Sequence, residues 1–339
     1  MSSQVSESRV VSPSASTLVS TSLHGVLLLD KPLGMSSNQA LGKAKHLLRT
    51  RKAGHTGTLD PLASGLLPLC FGEATKFSAD LLDADKTYET TVQLGVQTTT
   101  GDAEGAVVGT VAQVSTLPSL AEIEVVLARF RGPIQQVPPM HSALKHEGKA
   151  LYEYARAGVD IPRAARAVTI HQLDCLGYEA LTGSLHLRVC CSKGTYIRTL
   201  GEDIGRELGC GGHLTHLRRI AVGNLAVSQA MTLEELYSLT TQSTDKSSWQ
   251  RLIQPVDTLL QSLPRIVLPT GLAQRFQHGQ RLALRAEADL VVALAPIFAA
   301  LPEAGGLVRV YDPSGLLLGT AELAHSGRLQ PQRLVSLST

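Results

Sequence analysis

Cysteine is scarce in this chain, and what there is does not pair. The five cysteines are Cys70, Cys175, Cys190, Cys191 and Cys210; none forms a Cys-x-x-Cys pair, and the number is odd. This argues against a disulfide framework or a zinc site and fits a reducing cytoplasm. All five read as small buried hydrophobes. Cys190 and Cys191, adjacent on an expected strand, should point to opposite faces. Long apolar runs are also missing. None reaches the roughly 18 residues needed to cross a bilayer, so a membrane span is excluded. Residues 1–22 are rich in serine and lack a basic start followed by an apolar stretch. This start does not read as a signal peptide, and residues 1–24 read as a disordered leader. Bulk charge is nearly absent too: 31 Lys and Arg against 29 Asp and Glu leave +2. Net charge therefore does not mark a nucleic-acid binder. No G-x-x-x-x-G-K-[ST] pattern is present, which removes a phosphate-loop enzyme despite 30 glycines.

What is present is a chain of 339 residues, 43% apolar, long enough for two or three domains with a real core. Its charge is unevenly spread. Between Asp30 and Asp60 there is no carboxylate, while Lys31, Lys43, Lys45, Arg49, Arg51 and Lys52 all fall there. Such a run is ordinarily a solvated helix face; beside a nucleic-acid motif it becomes a phosphate-contacting surface. Strands are expected at 26–29, 66–71, 86–94, 106–114, 217–227, 308–311 and 316–321, with an antiparallel pair at 168–181 and 185–192. Helices are expected from Ser36 or Ser37 to Leu48, over 73–82, from Ser119 to Arg129, over 150–157 and over 195–208. Residues 52–64, 132–149 and 240–248 read as loops, and 286–306 has no clear assignment. Strands and helices mix without a βαβ rhythm, so the fold class is α+β.

The segment that carries chemistry is Gly54-His55-Thr56-Gly57-Thr58-Leu59-Asp60-Pro61-Leu62-Ala63-Ser64-Gly65. Glycines allow close backbone approach to a ligand, and Pro61 constrains the chain directly after Asp60. A carboxylate fixed in this way can serve as nucleophile or general base. Taken alone, an Asp in a glycine-rich loop is more often a turn residue.

This segment resembles the signature G-H-x-G-T-L-D-P-x-A-x-G-x-L of the TruB family of tRNA pseudouridine synthases, intact through Leu67. Asp30-Lys31-Pro32-Leu33-Gly34, Gly72-Glu73-Ala74-Thr75-Lys76 and Lys86-Thr87-Tyr88 resemble further family elements. So do Gln136 to Lys145 with Leu151-Tyr152 and Ala155-Arg156, then Gly194-Thr195-Tyr196-Ile197-Arg198 and His216-Leu217-Arg218-Arg219. The resemblance is firm from Gly25 to about Arg265 and looser beyond. It implies a mixed, mainly antiparallel sheet with flanking helices over 25–255, an RNA-contacting insertion at 132–166, and a small β-rich PUA-like domain over 265–339. The leader and 286–306 depart from the family pattern.

The implied reaction converts uridine 55 in the T loop of tRNA to pseudouridine. An N-glycosidic bond is broken, the base turns, and it is rejoined through carbon. No redox step or group donor is involved, so neither cofactor nor metal is implied. Asp60 would be the essential carboxylate, by attack on sugar or base or by proton removal from C2′, and Arg198 would pair with it. A flipped-out base costs a few kcal/mol, which stacking on Tyr88 would offset. Tyr196 would close the pocket, Leu217 would line it, and His55 would fill space among the flipped nucleotides. Lys31 is open between a structural role and a phosphate contact. Arg218 and Arg219 should face opposite sides of a strand, leaving only one for RNA. The implied partner is the T arm of tRNA, with no guide RNA, and the protein a monomer in the cytoplasm. Two rivals remain: a pseudouridine synthase for another RNA, and a non-catalytic tRNA-binding or RNA-folding factor.

The carboxylate-free stretch yields the first prediction. Replacing Lys43, Lys45 and Arg49 by Ala should weaken RNA binding most at low salt, lowering the salt slope by about one for each phosphate no longer engaged. Binding titrations across salt concentrations measure this; unaltered affinity returns the patch to a solvated face.

Overall fold

The computed structural model describes residues 23–110, 117–242 and 246–336. In chain order the first elements are β1 (Gly25–Lys31), α1 (Ser37–Leu47), β2 (Ala53–His55), β3 (Ala63–Phe71), α2 (Ser78–Leu82), β4 (Lys86–Leu94), β5 (Val96–Thr98) and β6 (Val107–Thr110). Next come α3 (Leu120–Phe130), β7 (Gly132–Gln136), β8 (Lys145–His146), β9 (Lys149–Ala150), α4 (Leu151–Arg156), β10 (Arg166–Glu179), β11 (Ser184–Cys191) and α5 (Ile197–Glu207). The last are β12 (Gly212–Val222), β13 (Leu225–Ala226), α6 (Leu233–Gln242), α7 (Lys246–Gln250), β14 (Arg265–Val267), α8 (Thr270–Gln277), β15 (Leu282–Ala283), α9 (Ala288–Ala300), β16 (Gly306–Tyr311), β17 (Leu317–Leu323) and β18 (Arg328–Leu334). The α+β class holds.

The main sheet runs β1-β3-β12-β4-β11-β10-β7, with β2 on β3 and β13 on β12. All its pairings are antiparallel except β12 with β3. β3 is an interior strand buried along its whole length, which explains its nearly unbroken apolar sequence. Its side chains alternate between two cores. Leu67, Leu69 and Phe71 pack with Ala40 and Ala44 of α1, Ile123 of α3 and Leu200 of α5. Leu66 and Cys70 face the other way, against Phe77, Leu260, Tyr311, Leu317 and Val335. This second core seats the C-terminal sheet, of order β14-β16-β17-β18-β15, against the back of the first.

Local chemistry sets the helix starts. Ser36, rather than Ser37, caps α1: its hydroxyl accepts from the Gln39 N–H and the Gln39 side chain accepts from the Ser36 N–H. Ser119 and Glu122 repeat the device on α3. Several expectations need correction. Leu23, placed in the leader, is buried, and the His24 imidazole accepts from the Glu73 N–H; residues 1–22 lie outside the described residues. The 52–64 loop contains β2, and the 132–149 loop opens with β7. The 240–248 loop is mostly helical, because α6 runs to Gln242 and α7 starts at Lys246. The strand placed over 217–227 begins at Gly212. Residues 73–82 divide into a 3-10 turn and a short helix, and 286–306 contains α9, with Pro296 inside it. Part of the strand expected over 106–114 lies outside the described residues. Cys175 and Cys190 are half-buried, whereas burial pushes the thiols of Cys70 and Cys191 up to about 12.

Gly65, at the parallel β3–β12 junction, has φ +102, and a Cβ there would lie 2.3 Å from the Arg219 carbonyl oxygen. A methyl group cannot be accommodated without moving backbone. Gly65→Ala should therefore cost at least about 2 kcal/mol, whereas Gly54→Ala, which meets nothing within 4 Å, should be nearly neutral. Denaturant unfolding of the two variants measures the contrast.

Candidate active site

The loop between β2 and β3 is held from several directions. The Thr56 N–H donates to the Pro68 carbonyl at 3.2 Å. The Ser37 hydroxyl donates to the Leu59 carbonyl at 3.0 Å and accepts from the Leu59 N–H at 2.7 Å. The Gly34 N–H donates to the Pro61 carbonyl at 2.8 Å, and the Ala63 N–H closes a turn on the Asp60 carbonyl at 3.0 Å. From beneath, Arg219 donates to the carbonyls of Leu66 (2.8 Å) and Gly57 (3.1 Å). With its backbone fixed, Asp60 leaves its carboxylate free to project, 38% exposed.

Arg198, in the first turn of α5, meets that carboxylate. Its Nη2 lies 2.9 Å from Asp60 Oδ2 and donates to the His141 carbonyl at 2.7 Å. Nη1 donates to the Thr100 carbonyl at 3.2 Å, and Nε lies 3.6 Å from Asp102 Oδ2. The guanidinium is thus buried between one exposed and one buried carboxylate. A cleft of about 180 Å³ opens beside the pair, walled by Tyr88, Tyr196, Leu217 and Ser142. A second hollow of about 190 Å³ shares Asp60 and Arg198 and extends to Glu104, Tyr152 and Arg156. Each is smaller than the roughly 300–1,000 Å³ of a site for a drug-sized molecule. Burial pushes the phenols of Tyr88 and Tyr196 up, so both stay protonated and able to donate. Burial, and then the carboxylates of Asp102 and Asp60, raise Glu104.

The sheet explains the meeting. Tyr88 on β4 and Leu217 on β12 belong to adjacent strands, where Thr90 pairs with Leu217 and Tyr88 with Arg219. β3 enters the sheet beside Leu217, paired with Ala63, three residues after Asp60. Five residues singled out from the sequence, Asp60, Tyr88, Tyr196, Arg198 and Leu217, therefore share one cleft. Lys31 and His55 do not line it. Lys31 requires correction: it is fully buried, and its ammonium donates to the carbonyls of Pro32 (2.9 Å) and Met35 (2.6 Å). Only its structural role survives, since no exposed ammonium is left for a phosphate. His55 is half-buried, and its Nδ1 accepts from the Gly57 N–H at 3.4 Å. Burial and then Arg219 lower its pKa, so the ring is neutral. Arg218 and Arg219 do face opposite ways: Arg218 pairs with Asp30 at 2.6 Å, and Arg219 is enclosed.

Sequence reasoning missed Asp102 as a site residue, and Gln136 was read only as part of a motif. Asp102 does make turn contacts, accepting from the Thr100 hydroxyl and the Glu104 N–H, so its local signal is that of an ordinary turn. Among the described residues, no group of three His, Cys, Asp or Glu side chains is arranged to hold a metal ion.

Comparison with known proteins identifies the family. Residues 45–197 match the family model described as TruB family pseudouridylate synthase (N terminal domain). Residues 198–261 match tRNA pseudouridylate synthase B C-terminal domain, and 264–335 match Pseudouridine synthase II TruB, C-terminal. Proteins named tRNA pseudouridine synthase B are similar along most of the chain. That of Cupriavidus metallidurans is 55% identical, covering 93% of this chain and 95% of its own length. That of Burkholderia mallei is 56% identical, covering 92% and 97%. A solved Cbf5–Nop10–Gar1 complex contains a chain of the same fold, with TM-score 0.67, 23% identity and coverage of 92% and 85%. The chain belongs to the TruB family of pseudouridine synthases. It is accordingly an isomerase that acts on tRNA.

The buried ammonium gives a pH prediction. Burial, partly offset by the Asp60 carboxylate, lowers the Lys31 pKa to about 8 from 10.5. Between those values the unfolded chain keeps a proton that the folded chain has shed, so stability rises with pH. Relative to Lys31→Met, wild type should gain stability as pH is raised from about 8 to 10.5. Paired unfolding curves across that range test this; a gap that stays constant or moves the other way would refute it.

Proposed function

We propose that the protein converts uridine 55 in the T loop of tRNA to pseudouridine, with Asp60 as the essential carboxylate. The observation that carries this reading is the half-open Asp60 carboxylate, paired with Arg198 at 2.9 Å inside a cleft shared with Tyr88, Tyr196 and Leu217. The balance of the isomerisation is internal. The N1–C1′ bond breaks, the base rotates, a C5–C1′ bond forms, and the proton lost from C5 is matched by one gained at N1. One carboxylate, acting on the sugar or base or removing the C2′ proton, suffices to start it.

A uridine within a folded loop has to leave its stack to reach a carboxylate seated in a cleft. The ring of Tyr88 offers a stacking face worth about 1–3 kcal/mol against that cost. Tyr196 and Leu217 confine the base, while His55, beside the loop but outside the cleft, contacts the RNA from which it was drawn. In this reading residues 25–255 form the catalytic domain, 132–166 its RNA-contacting insertion and 265–339 a PUA-like domain extending the RNA surface. Recognition is mainly of folded shape, by a cytoplasmic monomer with no guide RNA. The stand-alone reading is supported by the names of the full-length relatives.

The decisive experiment incubates purified protein with an unmodified tRNA transcript and maps pseudouridine. Wild type should modify the T loop. Asp60→Asn should lower conversion at least about a thousandfold while tRNA binding persists. Modification at another position would overturn the assigned substrate, and undiminished conversion by the variant would overturn the assigned carboxylate.

A further inference from the structure

We propose that Gln136 is a positioning residue for this reaction, a clasp joining the insertion to the backbone of Tyr196. The inference rests on reading the Asp60 cleft as the site of isomerisation.

Gln136 ends β7, the edge strand of the main sheet, yet is only 2% exposed. Its side-chain oxygen accepts from the Tyr196 N–H at 3.0 Å, and its side-chain nitrogen donates to the Tyr196 carbonyl at 3.3 Å. A primary amide is the one side-chain group that offers a donor and an acceptor with the spacing of a peptide. Gln136 thus treats Tyr196 as a neighbouring strand would. That residue is the N-cap of α5, and its carbonyl also accepts the first helical hydrogen bond, from the Leu200 N–H at 3.0 Å. Arg198 follows two residues later. Fixing the Tyr196 peptide therefore fixes where the helix begins and where its guanidinium can reach.

The other end of the clasp is just as placed. Directly after Gln136 the chain leaves the sheet through Pro138 and Pro139 and folds over the cleft. There the His141 carbonyl accepts from Arg198 Nη2, and the buried Ser142 side chain lines the cleft beside Tyr196. The cleft wall formed by the insertion and the helix carrying Arg198 are hence tied together twice. Gln136–Tyr196 is the tie at the root, where β7, among the described residues, pairs with β10 alone. Removing it should let the wall and the helix start move apart, slowing the reaction at the centre without removing a phosphate contact.

Two variants test this in the full chain. Gln136→Met keeps length and loses both hydrogen bonds; Gln136→Glu keeps an acceptor for the Tyr196 N–H and loses the donor. Single-turnover conversion at saturating unmodified tRNA should fall about tenfold or more in Gln136→Met and less in Gln136→Glu, with tRNA affinity within about twofold. Hydrogen exchange without RNA should quicken together over residues 137–143 and 195–198, leaving the main sheet unchanged. Unchanged conversion would overturn the positioning role. So would a rate loss that merely follows the unfolded fraction and recovers on cooling. Unlinked exchange in the two segments would overturn the clasp. If Gln136→Met does not fold, Gln136→Glu supplies the same comparisons. Wild-type protein that leaves the tRNA unmodified would instead overturn the reading of the cleft, and the exchange measurement would still decide the clasp.

Discussion

A guanidinium shut away from water must be answered on every side, and the site is organised around that requirement. Arg198 is 6% exposed. An unpaired cation there would cost several kcal/mol, so the chain surrounds it with two carboxylates and two carbonyls. These come from separate stretches: the loop after β2, the turn after β5, and the insertion after β7. Neutralising one buried charge thereby draws together the pieces of a cleft that are far apart along the chain. The arrangement also divides labour between the carboxylates. Asp102 is enclosed and held by its own turn, whereas Asp60 keeps one side open to whatever enters.

Arg219 does a related job under the floor. It donates to the carbonyls of Gly57 and Leu66, on either side of Asp60, and stands beneath Tyr88, its cross-strand neighbour. Its neighbour Arg218 points the other way, to Asp30, which belongs to the strand leading into α1. The two adjacent arginines thus brace different segments, Arg219 the Asp60 loop and Arg218 the strand β1, because strand geometry turns consecutive side chains to opposite faces. Neither is left as a free cation for RNA. The open positive charge lies instead on the exposed side of α1, on residues such as Lys43.

Legibility in the sequence followed the range of the forces involved. Helix starts were readable because capping is a contact across three residues, as at Ser36 with Gln39 and Ser119 with Glu122. The strand 86–94 was readable from alternation and β-branched content, and the one expected over 185–192 was found within a residue, at Ser184–Cys191. The α6–α7 stretch was misread because its Ser and Thr suggest a loop, while Leu236 and Trp249 bury themselves against the core. Lys31 was left open because a lysine beside a proline and a glycine looks much the same whether its ammonium points inward or outward. The two carbonyls that hold it are a matter of how the turn closes.

By itself the sequence determined the family, the α+β class and the identity of the five residues that share the cleft. Those follow from a long motif and from local periodicity, both of which survive without knowledge of long-range contacts. Only the tertiary structure decided that Asp102 stands behind Arg198 and that Gln136 clasps Tyr196 across 60 residues. It alone withdrew Lys31 and Arg219 from the surface. The reason is physical: whether a polar side chain is buried, and what then satisfies it, depends on which distant segment packs against it. No spacing along the chain records that.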